Sequence, residues 1–328
     1  MNKKIINNIV KKKNDEKIIF TAGPASLSSE NIIGLAPCFG RGDKLYLDAE
    51  NFVLNKLKKM SGHKCIARFQ GSGSLAIEIM ITNFLFGKVL IIDTGYYSER
   101  LLKISQDAKK IYKNIRKIDY INHQNLEDVT ARYDWVLGCY TETSVGLKLN
   151  IKQINKLCKK TKSKLMLDAT ASFGLENNHE LADVISFSSC KGLFGLTGAS
   201  FICFNKNPEN NIQSFYLNLQ NHLEKKMTGP YHSILSLYHV LKNHSSFRES
   251  VKINKYIFLK NMKKYLTVHE NMQPLLCTYV DAKIKTKNKK VILYQPRNNL
   301  SGSVVCHIGE VHLGNTAKGN IQKNLYID

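Results

Sequence analysis

The sequence predicts an α/β fold: a mostly parallel sheet flanked by helices, followed by a smaller C-terminal α+β part. Three observations carry this. Short apolar runs recur between Lys64 and Phe204, segments of helical length separate them, and the rhythm fades after about residue 208. With 328 residues, 43% of them hydrophobic, the chain can bury a large core, and six prolines exclude a collagen-like or disordered chain.

In chain order, residues 1–17 read as a basic N-terminal arm, helical or loose. Lys64–Phe69 reads as a short strand, and Gln70-Gly71-Ser72-Gly73-Ser74 turns it into a buried helix over Leu75–Phe86. A buried strand follows at Lys88–Asp93 and an amphipathic helix at Ser98–Ala108. Asp134–Tyr140 is a strand, Ile151–Thr161 a helix, and Lys164–Asp168, Ala182–Ser188 and Ser200–Phe204 are strands. Helical stretches near 212–226 and 231–264 lead to strands near 275–281, 291–295 and 303–308. The expected division is thus 1–17, 18–225 and 226–328.

Composition narrows the function. No stretch approaches the about 18 uncharged apolar residues of a membrane span, and the N-terminus lacks the apolar run of a signal peptide. Eight cysteines are scattered without a CxxC pair, which speaks against a zinc site or a secreted disulfide framework and for a reduced, cytoplasmic protein. The net charge of +22 is spread along the chain, and no recognition-helix, zinc-finger or RRM pattern accompanies it. A solvated lysine-rich surface is favoured over nucleic-acid binding, and its field would attract small anions.

In an open α/β sheet, ligands bind beyond the carboxyl ends of the strands. The GSGS turn offers hydroxyls and a helix N-terminus suited to phosphate, yet it lacks the GxGxxG and GK[ST] spacings and is not G-x-S-x-G. Asp168 ends a buried strand, where it is either a turn cap or a functional carboxylate. Lys191 follows another strand inside a glycine-rich turn, a setting that suits an amine for Schiff-base chemistry. Glu142-Thr143-Ser144 follows the strand ending at Tyr140. A phosphate cradle, an acid and an activated lysine at successive strand ends suggest pyridoxal 5′-phosphate (PLP).

The ordered runs FTAGPASLS (20–28), GRGDKLY (40–46), QGSGSLAIE (70–78), DTGYYSER (93–100), YTETSVG (140–146), LDATASFG (167–174), SSCKGLFGLTGASFICF (188–204) and TGPYH (228–232) carry a resemblance. The chain resembles the class V aminotransferases of the PLP-dependent fold type I superfamily, most nearly the 2-aminoethylphosphonate–pyruvate transaminase branch, across most of residues 18–240. The resemblance implies that Lys191 holds the cofactor covalently and moves the substrate proton, and that Asp168 pairs with the pyridinium nitrogen. It gives Ser72, Gly73 and Ser74 to the phosphate, Tyr97 to the ring face and Thr143 to a cofactor contact. Thr228 resembles a threonine that reaches the neighbouring subunit's phosphate, which implies a homodimer with shared sites.

The C-terminal part departs from that pattern. Val304 stands where the branch places an arginine for the substrate's anionic group, leaving Arg297 and Arg41 as candidates for substrate binding. His307 reads as a strand residue rather than an anion ligand, and Cys190 does not mark desulfurase chemistry. The expected reaction is amino transfer between a small amine, such as 2-aminoethylphosphonate, and a 2-oxo acid such as pyruvate. A PLP-dependent lyase, or a non-catalytic PLP-fold binding protein, is the alternative.

Overall fold

The computed structural model describes residues 2–38, 40–297, 299–311 and 323–327. Its centre is a seven-stranded sheet whose strands are, in chain order, β1 (Cys65–Gln70), β2 (Gly87–Asp93), β3 (Ile115–Asn122), β4 (Trp135–Cys139), β5 (Lys164–Asp168), β6 (Val184–Ser188) and β7 (Ala199–Phe204). They lie in the order β1-β7-β6-β5-β4-β2-β3. All pairings are parallel except those of β7 with β1 and β6. The expected fold class is what forms.

Strand periodicity builds the two layers. Leu90 and Ile92 of β2, with Val136, Leu165 and Leu167, face one core. Val89, Ile91, Leu137 and Met166 face the other. Because both faces are covered, these strands read as continuous apolar runs rather than alternating ones. The helix Gly73–Phe84 packs on the second face and buries nine of its residues, Ile77, Met80 and Ile81 among them. On the first face, Val53 and Leu57 of the helix Lys44–Ser61 and Ile234 and Leu237 of the helix Tyr231–Val240 close the layer.

The expected elements form with shifts of a few residues at their ends, and residues 3–14 of the N-terminal arm are helical. Two long elements lie among those outside the expectations. The helix Lys44–Ser61 buries Glu50 among apolar residues, where it meets Arg68 and Lys225, so its charged sequence hides a buried face. Strand β3 is an edge strand with a largely exposed, polar pattern.

Helix near 212–226 shrinks to Leu219–Leu223. Asn218 and Asn221 side chains donate to the Ile212 and Phe215 carbonyls there, a local alternative to helical bonding. The stretch 231–264 divides into Tyr231–Val240 and His244–Met262. In the C-terminal part, Cys277–Val280 pairs with Ser303–Cys306, and Val291–Leu293 with Ile18–Phe20. This last pairing ties the start of the expected large unit to the C-terminal strands.

Buried histidines make stability depend on pH. His179 is 3% exposed and held by Ser172 at 3.0 Å, and burial pulls its pKa down from 6.5 to about 3. The unfolded chain binds a proton at this residue below pH 6.5 while the fold does not, so stability is lost as pH falls from 6.5 toward 3. Urea unfolding at pH 7.5 and 5.5 is expected to differ by about 1.4 kcal/mol more in the native chain than in His179→Gln. An equal difference in both would show that His179 does not stay neutral.

Candidate active site

Six strands run in one direction, so their carboxyl ends share one edge, and the chain's polar strand-end residues meet there. The turn after β1 is pinned by Gly71 N–H donating to the Gly198 carbonyl at 3.0 Å, just before the antiparallel β7 begins. Ser72 starts the helix Gly73–Phe84 in an extended conformation, leaving the first-turn N–H groups aimed past the sheet edge. A Cβ at Gly73 would come to 3.0 Å from the Thr170 side chain, so a larger residue there would crowd the turn.

Tyr97 is held by an unusual carboxylate. Glu142 is fully buried, and its Oε2 accepts from Tyr97 N–H at 3.0 Å, Ser98 N–H at 3.3 Å and Thr94 Oγ1 at 3.4 Å. Its Oε1 accepts from Ser144 N–H at 3.2 Å and Ser144 Oγ at 2.5 Å. Burial raises its pKa while these donors oppose the rise. Glu142 therefore locks the first turn of the helix Tyr96–Tyr112 onto the loop carrying Thr143.

Asp168 ends β5 at 3% exposure. Thr170 N–H donates to its Oδ1 at 2.9 Å, and Arg100 Nη2 lies 3.4 Å from its Oδ2. Arg100 also donates through Nη1 to Ser74 Oγ at 3.1 Å, with its guanidinium carbon 4.9 Å from the Tyr97 ring centroid. The Lys191 ammonium lies 5.7 Å from that same centroid.

Lys191 follows β6 in a tight turn that Phe194 N–H closes on the Lys191 carbonyl at 2.8 Å. Phe194 adopts a φ of 57°, a strained value of the kind that collects at functional sites. Gly23, at φ 132°, lets the N-terminal strand pass the lysine stem, for a Cβ there would sit 3.1 Å from Lys191 Cγ.

The structure thus gathers Ser74, Tyr97, Asp168 and Lys191 around Arg100 and the Tyr97 ring. The buried Thr143 hydroxyl closes no well-formed hydrogen bond and faces the Tyr294 phenol, whose pKa burial pushes up. Neither Arg100 nor Tyr294 was singled out from sequence. Arg100 had a signal, lying three residues after Tyr97 on one helix face; Tyr294 comes from a distant loop and had none.

Of the other candidates, Arg297 lies at the rim and the rest lie elsewhere. Arg297 is exposed, donating to Tyr96 Oη at 2.7 Å, and the Tyr96 and Tyr97 rings are 5.3 Å apart. Arg41 is exposed and donates to the Lys225 carbonyl, while Thr228 is exposed on the neighbouring segment. Val304 is 2% exposed and opposite Tyr279, so its strand offers no cation here. His307 is buried against Thr278 Oγ1 at 3.0 Å, a packed strand residue as expected.

The residues fit PLP. Around Asp168 and Lys191, Thr170 Oγ1 and Arg100 Nε are buried donors without acceptors, as a polar, anionic ligand requires. Among the described residues, no group of three or more His, Cys, Asp or Glu could hold a metal ion.

Fold and residue set resemble those of PLP-dependent enzymes of the aminotransferase class. No protein-family model matches the chain. It is similar to the 2-aminoethylphosphonate–pyruvate transaminase of Pseudomonas putida, 25% identical over 255 residues that cover 70% of this chain and 68% of the relative. The enzyme of that name from Pseudomonas aeruginosa is 24% identical over 257 residues, covering 69% and 68%. Two solved structures share the fold. The ureidoglycine–glyoxylate aminotransferase of Bacillus subtilis superposes with a TM-score of 0.75 at 16% identity, covering 90% of this chain and 88% of its own. The alanine–glyoxylate aminotransferase of Nostoc gives 0.75 at 17% identity, covering 90% and 91%. The resemblance drawn from the sequence is borne out.

Proposed function

We propose that the chain transfers an amino group between a small primary amine, 2-aminoethylphosphonate or a close analogue, and a 2-oxo acid such as pyruvate. The observation that carries this is the convergence of Lys191, Asp168 and Tyr97 at one sheet edge in a chain similar to transaminases of that name. Bound PLP would supply an electron-withdrawing ring for loss of the substrate's α-proton. Lys191 is the residue that takes and returns that proton, Asp168 holds the ring nitrogen's proton, Tyr97 covers the ring face, and the Ser72–Ser74 turn holds the phosphate.

Arg297 is the proposed anion anchor in place of the residue at 304. It stands on the aromatic pair Tyr96–Tyr97 at the rim, where a phosphonate would meet a guanidinium outside the buried strand. The homodimer reading rests on the likeness of Thr228 to a threonine that reaches a neighbouring subunit's phosphate; Thr228 is exposed here, next in sequence to Met227, which lines a surface hollow with Arg41 and Lys225. No helix among the described residues is long and apolar enough to cross a membrane. A cytoplasmic setting rests on the scattered cysteines of the sequence.

The test is the visible spectrum of PLP-loaded protein. Adding 2-aminoethylphosphonate should convert the lysine-bound cofactor band to the pyridoxamine form, and pyruvate should restore it. A band indifferent to every amine and restored by no oxo acid would favour the lyase alternative. Arg297→Gln should raise KM for the phosphonate about ten-fold with kcat nearly unchanged; an unchanged KM would remove Arg297 from the substrate site.

A further inference from the structure

Arg100 has no role in the account so far, yet its side chain touches three of the four groups that define the site. Its fork joins Ser74 Oγ at 3.1 Å to Asp168 Oδ2 at 3.4 Å, and its guanidinium carbon lies 4.9 Å from the Tyr97 ring centroid. The orientation is imposed, because Glu142 caps the helix turn that carries it. Nε is buried and has no acceptor. A cationic N–H taken out of water without a partner is unfavourable, and an anion at that point would relieve it.

We propose that Arg100 is a positioning residue for the cofactor's phosphate, a role that rests on the PLP reading above. Ser74 marks the phosphate end of the site, and Arg100 Nη1 is already one hydrogen bond from it. A phosphate oxygen at Nε, with a second at Nη2 once that group leaves Asp168, would satisfy the fork in the bidentate manner that arginine favours and lysine cannot reproduce. The N-terminus of the helix Gly73–Phe84 adds its N–H groups from the other side.

Asp168 takes part in the exchange. Thr170 N–H occupies Oδ1, so Oδ2 is the oxygen left for a pyridinium proton, and Arg100 lies on that oxygen in this structure. Two cations on one carboxylate oxygen repel. Docking of the ring therefore releases the guanidinium from Asp168 toward the phosphate, and Arg100 couples the two ends of the cofactor site.

The experiment measures binding rather than turnover. Cofactor-free native chain, Arg100→Gln and Arg100→Lys are titrated with PLP and with pyridoxal, which lacks the phosphate. Absorbance of the lysine-bound form and quenching of intrinsic fluorescence are followed, with and without inorganic phosphate as competitor. R100Q should weaken PLP by about ten- to hundred-fold, leave pyridoxal within about two-fold and abolish competition by phosphate. R100K, which keeps the charge but not the fork, should recover part of the loss. Equal weakening of PLP and pyridoxal would overturn the assignment and place Arg100 with the ring instead. No weakening of either in both variants would overturn it outright. Failure of the native chain itself to take up PLP is a distinct result, which would overturn the cofactor reading and this inference with it.

Discussion

Lys191→Ala loses the visible band of lysine-bound cofactor and amino-transfer activity together. The substitution removes the amine that stands 5.7 Å from the Tyr97 ring centroid. Loss of its proton transfer alone is expected to lower turnover by roughly 10²- to 10⁴-fold; loss of the covalent link adds to that. The lysine stem packs on Gly23, so Lys191→Met, which keeps the stem, separates chemistry from packing. Both variants should keep the native melting temperature within a few degrees while the band is gone. Turnover close to native in Lys191→Met, with pyruvate consumed, would remove the lysine from the chemistry.

Asp168→Asn should be nearly as damaging for a different reason. The amide keeps the shape and the contact with Thr170 N–H, but it carries no charge to hold a proton on the ring nitrogen. The expected fall in kcat is about 10²- to 10³-fold, the size typical for loss of one preorganised electrostatic contact. Cofactor binding should weaken far less, since the phosphate turn and Lys191 remain. The aspartate also pairs with Arg100, so the two sites are coupled. Adding Arg100→Gln to Asp168→Asn should therefore cost less in PLP affinity than the separate changes imply. Near-native kcat in Asp168→Asn would mean that the carboxylate serves only as a turn cap, the bland reading the sequence also allowed.

How much of this was legible in the chain depends on distance along it. Lys191 and Asp168 could be found because each directly follows an apolar run, and strand direction alone then places the residue at the sheet edge. The glycine-rich turns are equally local: Gly23 and Gly73 leave room for Lys191 and Thr170, yet their neighbours already spelled a turn. Edge strand β3 was not legible, because one neighbour and a solvent-facing side leave it without an apolar signature. Nor was the burial of Glu50. Its partners are Arg68 and Lys225, 18 and 175 residues away, and only their arrival makes a carboxylate tolerable in that core.

The same division runs through the active site. Residue type and local pattern determine the sheet, its carboxyl edge and the lysine–aspartate–serine set, since strand periodicity and turn chemistry act over a handful of residues. The rest was settled by folding in three dimensions: Arg100 bridging Ser74 and Asp168, Glu142 clamping the helix that carries Tyr97, Tyr294 set against Thr143, and Val304 sealed on a buried strand. The first three depend on groups 26 to 151 residues apart meeting in a dry interior, where a hydrogen bond or ion pair is strong only once its partner has been delivered. No window of sequence contains both partners, and so no reading of the chain alone reaches them.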